Sequence, residues 1–207
     1  MKIIKIAGGP LPTNCYLLTD ETTGASAVVD PGFESGELSE AVRKTGNVQA
    51  ILLTHGHFDH ISGVRKLREL TGAKVCLYSD EIPFVRNGTL NLSAALFGSE
   101  VPPFPVDVPV HDDDTIRLGG LKIRVLHTPG HTAGGCCFVV EDAIFSGDTL
   151  MKLSYGRTDF PTGSDSQMLG SLRRLSELKG DFRVYPGHGS ETTLDYEKRN
   201  NPYMGIH

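Results

Sequence analysis

The segment Thr54-His55-Gly56-His57-Phe58-Asp59-His60 places three imidazoles and one carboxylate within six residues. It directly follows the apolar run Ala50-Ile51-Leu52-Leu53. A strand ending there delivers the four side chains onto a loop at a sheet edge, where functional groups are commonly presented. Imidazole and carboxylate together suit zinc, iron or manganese. A lone histidine is more often a packed or solvated residue; three with an aspartate at this spacing point to metal binding.

Three further segments repeat the same form, an apolar run followed by a Gly-rich corner bearing a ligand-capable residue. They are Val125-Leu126-His127-Thr128-Pro129-Gly130-His131-Thr132, Ile144-Phe145-Ser146-Gly147-Asp148-Thr149 and Val184-Tyr185-Pro186-Gly187-His188-Gly189. Gly and Pro let the backbone turn sharply where a side chain must face inward. Taken singly each signal is weak, but together they describe one cleft lined by strand-end loops. His127 precedes its corner and is expected to support the site or pack in the core. His111 and His207 lie outside every motif and are expected to face solvent.

The elements that must position these residues are legible from periodicity. Strand-like runs are Lys2–Ala7, Cys15–Thr19, Ala25–Val29, Ala50–Thr54, Lys74–Tyr78, Thr115–Leu118, Leu121–His127, Cys137–Val140, Ala143–Phe145 and Phe182–Tyr185. Gly119-Gly120 between two of them predicts a tight hairpin. Helical spacing appears over Glu37–Lys44, Ile61–Leu70 and Gln167–Leu178, the last opened by Ser164 three residues before Gln167. Met168, Leu172, Leu175 and Leu178 mark its core face. Strands interleaved with helices predict an α/β (α+β) chain, one domain over residues 1–207. The Pro-, Gly- and Asn-rich stretch 81–109 carries bulky apolar residues and is expected to form a lid or binding loop, with Phe97 in contact with substrate.

Composition narrows the function. At 207 residues the chain can bury a sizeable core without staples. A net charge of -5 argues against a nucleic-acid partner, and no apolar run reaches the ~18 residues of a membrane span. The alternating start Met1-Lys2-Ile3-Ile4-Lys5-Ile6 has no signal-peptide cleavage site, so a cytoplasmic location is expected. Cys15, Cys76, Cys136 and Cys137 form no CxxC pair and fit buried thiols in a reducing compartment. No nucleophile elbow, phosphate-binding loop or dinucleotide fingerprint competes with the metal cluster.

With its motifs in order over nearly the whole chain, the sequence resembles the metallo-β-lactamase superfamily, and most closely the small glyoxalase II-like hydrolases. The resemblance implies a four-layer αββα sandwich with a dimetal centre at its edge. By the same resemblance His55, His57 and His131 hold a first ion, Asp59, His60 and His188 a second, and Asp148 bridges both. Two divalent ions are implied, chiefly Zn²⁺ with Fe or Mn as alternatives, and a hydroxide bridging them would attack a carbonyl carbon. Asp59 would also orient that nucleophile.

The implied substrate is a small, anionic acyl (thio)ester. Asp148 as the bridge, with no thiolate among the ligands, looks unlike the antibiotic-hydrolysing branches, and the acidic chain looks unlike the tRNA-processing nucleases. Nineteen residues follow His188 (207 − 188), so the glutathione-binding helical domain of full-length glyoxalase II is not expected. Tyr155-Gly156-Arg157-Thr158-Asp159-Phe160-Pro161 resembles a loop of the small glyoxalase II-like proteins. Arg157 there either binds a substrate carboxylate or pairs with Asp159. The alternative within the superfamily is a persulfide dioxygenase with one iron on His55, His131 and Asp148.

Overall fold

The computed structural model describes residues 1–98 and 100–205, Phe97 by its backbone alone. The His207 expectation, and the one that places the Phe97 side chain against substrate, lie outside the described residues.

Two six-stranded sheets face one another. In the first, β1 (Lys2–Gly8), β2 (Thr13–Thr19), β3 (Ser26–Val29), β4 (Val48–Leu53), β5 (Lys74–Tyr78) and β6 (Val108–Val110) lie in chain order. Pairing is antiparallel from β1 to β3 and parallel from β3 to β6. The second runs in reverse chain order: β12 (Thr192–Thr193), β11 (Arg183–Pro186), β10 (Ala143–Gly147), β9 (Cys136–Val140), β8 (Leu121–His127), β7 (Thr115–Leu118).

Side-chain alternation along the strands creates three apolar layers. On β4, Ala50 and Leu52 face the second sheet, joining Tyr16, Leu18, Ile123, Val125, Phe138 and Phe145. Ile51 and Leu53 face outward against α1 (Gly36–Thr45), α2 (Phe58–Ile61) and α3 (Val64–Thr71). On the opposite outer face, Leu126, Ile144 and Val184 meet Met168, Leu172 and Leu175 of α4 (Asp165–Ser176) and Leu194 of α5 (Leu194–Asn200). The architecture is therefore the four-layer αββα sandwich.

Ser35 caps α1 through the Leu38 amide, and Ser164 caps α4 through the Gln167 amide, so both helix starts follow from a hydroxyl at the N-cap. The Gly119-Gly120 pair makes the β7–β8 hairpin, with Leu118 opposite Leu121. The four cysteines are buried free thiols.

The structure refines two expectations and adds two elements. Helix Ile61–Leu70 is two helices, α2 and α3, because the Gly63 amide donates to Pro31 O rather than continuing the helical ladder. Within 81–109, residues Val85, Leu92, Val101 and Phe104 belong to the helix-side core, and Val108–Val110 is strand β6. Much of that stretch is thus anchored, with a 3₁₀ turn at Ser79–Arg86 and a π turn at Ser93–Phe97. Elements β12 and α5 follow His188, where periodicity gave no signal.

Candidate metal centre

Strands β3, β4, β8, β10 and β11 each end at a corner that carries a polar side chain: Asp30, the His55–His60 loop, His131, Asp148 and His188. Because β3 and β4 are parallel, and β8, β10 and β11 run the same way in the second sheet, these ends converge on one edge of the sandwich. The backbone at Gly187 approaches so closely that a Cβ there would sit 2.3 Å from Asp148 Oδ1. A glycine at this corner is therefore required by space.

All seven residues expected from the sequence meet there. They form three overlapping groups whose ligand-capable atoms lie within 4.8 Å of one another: His55, His57 and His131; His55, His60 and Asp148; Asp59, His60 and His188. His57 Nδ1 lies 2.9 Å from His131 Nε2, and His60 Nε2 lies 3.4 Å from His188 Nε2. Asp59 Oδ2 is 3.2 Å from His188 Nε2. Asp148 faces both triads, with Oδ1 3.5 Å from His60 Nε2 and Oδ2 3.5 Å from His131 Nε2.

Several inward atoms have no hydrogen-bond partner although they are buried, among them His55 Nε2 and Asp148 Oδ1. Buried polar groups are rarely left so. Lone pairs converging without donors fit divalent cations, so the residues present suit the metal that the ligand pattern implies.

The outward faces of the rings are fixed by acceptors, which sets their tautomers. His60 Nδ1 donates to Asp30 Oδ2 (3.0 Å), His131 Nδ1 to Arg157 O (2.6 Å) and His188 Nδ1 to Pro12 O (2.9 Å). Asp30 also accepts the Thr54 amide and hydroxyl, at 2.8 and 2.6 Å. Asn14 donates to Pro186 O and Gly189 O, holding the His188 corner against β2.

Burial, reinforced by neighbouring imidazoles, pushes His55 and His57 well below the usual histidine range, so both are neutral donors at neutral pH. Burial opposes charge on His60 as well, yet Asp59, Asp30 and Asp148 together lift it to about 10. For Asp59 burial acts upward but is outweighed by His60 and His188, which hold its carboxyl well below the usual range. The second group is therefore the charge-rich half of the site.

Sequence reasoning missed Asp30, Asn14 and Glu81. Asp30-Pro31-Gly32 ends the Ala25–Val29 run in the same strand-then-corner form as the other three segments, so that signal was present. Asn14 and Glu81 carry no local signature. His127 stacks on Tyr78 at 4.3 Å, and its Nε2 bonds Ala133 O in the loop after His131, so it supports the site from outside. His111 is exposed. Arg157 forms the internal pair, donating Nε and Nη2 to the two Asp159 oxygens at 2.6 Å each, and lies 4.1 Å over the Phe160 ring. Phe160 in turn stands 5.7 Å from the His57 ring.

The profile of the metallo-β-lactamase superfamily matches residues 8–188, which span all seven converging candidate residues. The chain belongs to the metallo-β-lactamase superfamily. Within it, the chain is 33% identical over 199 residues to hydroxyacylglutathione hydrolase GloC of Haemophilus influenzae, covering 92% of each. The crystal structure of BLEG-1, a B3 metallo-β-lactamase, matches with a TM-score of 0.92 and 32% identity, covering 98% of this chain and 99% of that one. TTHA1623 in a di-iron-bound form matches at 0.84 and 37%, covering 97% and 99%. Superfamily membership makes this edge a divalent-metal site of a metal-dependent hydrolase fold. Among the described residues no helix is long and apolar enough to cross a membrane.

Proposed function

We propose that this metallo-β-lactamase-superfamily chain is a cytoplasmic two-cation hydrolase of small, anionic acyl thioesters, a thioesterase of the glyoxalase II type. The observation that carries the reading is Asp148, whose carboxylate stands between the two triads: Oδ1 is 3.5 Å from His60 Nε2, and Oδ2 is 3.5 Å from His131 Nε2 and 3.6 Å from His188 Nε2. His55, His57 and His131 would hold the first cation, Asp59, His60 and His188 the second, and Asp148 both. Two divalent cations there supply Lewis-acid polarisation of a carbonyl oxygen and bring the pKa of water down from ~15.7 to about 7.

The chain's own residues do the rest. Neutral His55 and His57 donate lone pairs without adding charge. Asp59 and Asp148 supply two negative charges against four positive ones, so the loaded site attracts an anionic substrate. Asp59 Oδ2 stands within reach of Thr13 Oγ1 (3.4 Å) and His188, an orientation that suits holding the proton of an attacking water. Phe160 supplies an apolar wall beside His57, and the Arg157–Asp159 ion pair lies against its ring. The 81–109 stretch reaches the first group through Phe84, whose ring lies 6.0 Å from that of His57.

Zn²⁺ is favoured by the imidazole-rich first group, and iron by the di-iron form of TTHA1623. Likeness to BLEG-1 favours a second substrate reading, β-lactam ring opening. A one-iron persulfide dioxygenase on His55, His131 and Asp148 would leave Asp59, His60 and His188 without a shared ion, which the closeness of these three disfavours. The test is turnover of S-lactoylglutathione, a short acyl-coenzyme A thioester, a penicillin and a glutathione persulfide by zinc- and iron-loaded protein. Chelator-sensitive thioester hydrolysis exceeding penicillin hydrolysis supports the proposal. Penicillin hydrolysis alone, or oxygen consumption with persulfide alone, overturns it.

A further inference from the structure

Glu81 lies in the 3₁₀ turn after β5 and is fully buried. Its Oε2 accepts the Gly56 amide at 2.7 Å, and its Oε1 accepts the Gly134 amide at 2.8 Å. Gly56 sits between His55 and His57, and Gly134 lies three residues after His131. One side chain therefore joins the two loops that bring together all three imidazoles of the first group.

The chemistry at this position calls for a carboxylate. Two amide donors arrive from different loops, and each needs its own acceptor. A glutamine offers one acceptor and would set its NH₂ group against the second N–H. Burial pushes the Glu81 carboxyl up to about 7, and the Gly56 and Gly134 amides, rather than a lysine or arginine, favour its charged form. A buried anion without a cationic partner is costly, and such groups persist where their hydrogen bonds fix something specific. Packing is equally close: a Cβ on Gly134 would lie 2.8 Å from Glu81 Cγ and 3.0 Å from its backbone nitrogen. Further along the same turn, Phe84 stands 6.0 Å from the His57 ring, and a Cβ on Gly56 would lie 2.5 Å from Phe84 Cβ.

We propose that Glu81 is a positioning residue for the first cation, its carboxylate setting the separation of His55 and His57 from His131. The inference rests on the two-cation reading above. Outer partners of metal ligands typically change affinity by about 10–100-fold, and Glu81 bonds the backbone at Gly56 and Gly134, beside the first-group ligands, whereas Asp59 and His60 lie beyond Gly56 on α2. The second group, held by Asp30, Pro12 and Asn14, has separate supports.

The test is zinc titration of Glu81→Gln and wild-type protein against a competing chelator that resolves two binding steps. It is accompanied by cobalt d–d absorption and by urea unfolding of zinc-free protein. The expected result is a loss of about 10–100-fold in one step, the other within threefold, with an altered cobalt spectrum for the weakened site. If Glu81→Gln does not fold, Glu81→Asp, which keeps both oxygens but is one methylene shorter, is expected to show the same selective loss. Lowered unfolding stability with both affinities and the cobalt spectrum unchanged overturns the positioning role. Wild-type protein that binds a single ion refutes the two-cation reading alone, and weakening of that ion by Glu81→Gln still supports the role.

Discussion

Substituting Asp30 separates the folding and metal-binding contributions of one buried carboxylate. Its oxygens accept from the Thr54 amide, the Thr54 hydroxyl and His60 Nδ1. In Asp30→Ala the hydroxyl can turn to His55 Nδ1, 3.1 Å away, leaving two buried donors alone. At about 1–3 kcal/mol each, the cost is roughly 2–6 kcal/mol, a large part of a domain's 5–15 kcal/mol. Asp30→Asn is expected to differ in kind. Its carbonyl keeps the Thr54 amide, and its NH₂ can donate to the Thr54 hydroxyl, so only about 1–2 kcal/mol is lost. That NH₂ also faces His60 Nδ1, which must then accept, moving the ring proton to Nε2. Nε2 is the atom that points at Asp59, Asp148 and His188. A protonated Nε2 cannot ligate, so affinity for the second cation should fall by about 10–100-fold. Urea unfolding of zinc-free protein and chelator-competition titration read the two effects separately. Asp30→Asn binding both ions with wild-type affinity would refute the tautomer argument.

Phe160→Ala removes the apolar wall beside His57 and the ring under Arg157; KM for an acyl thioester should rise by about 2- to 10-fold with kcat less affected. Unchanged KM would place the substrate elsewhere. Asp20 gives a pH signature at the opposite end of the molecule. The Thr23 hydroxyl and the Gly120 and Thr22 amides hold its carboxyl down at about 2. Since the folded value lies below the unfolded one, that stabilisation is complete above about pH 4 and is lost as pH falls towards 2. Unfolding midpoints of wild type and Asp20→Asn should therefore converge over that interval, and a constant difference would refute the assignment.

How much of this was legible in the sequence varies by element. The convergence of candidate ligands was, because His55, His57, Asp59, His60, His131, Asp148 and His188 all follow strand-length apolar runs at Gly-rich corners, a local pattern. Alternation on strands such as Leu121–His127 and the Ser164 cap gave an α/β chain, while the four-layer sandwich was implied by the family resemblance. Glu81 and Asn14 were not legible, since their roles depend on amides and carbonyls brought near only by the sheets. For stretch 81–109, read from its Pro and Gly content as a lid or binding loop, the anchoring was not legible. Leu92, Val101 and Phe104 fill a core that its neighbours in sequence do not form. The break at Gly63 was hidden likewise, because its partner is the carbonyl of Pro31.

The central claim is that two cations share this edge, one on each triad. Asp59 belongs only to the second triad, beside His60 and His188, whereas His55, His57, His131 and Asp148 remain in Asp59→Ala. The decisive measurement is bound metal per chain in wild-type and Asp59→Ala protein, loaded to saturation and freed of loosely held ions. The account expects about two ions in the wild type and about one in the variant, with a fall of roughly 10²–10⁴ in thioester kcat/KM. One ion in both proteins, or two in both with full activity, would contradict it.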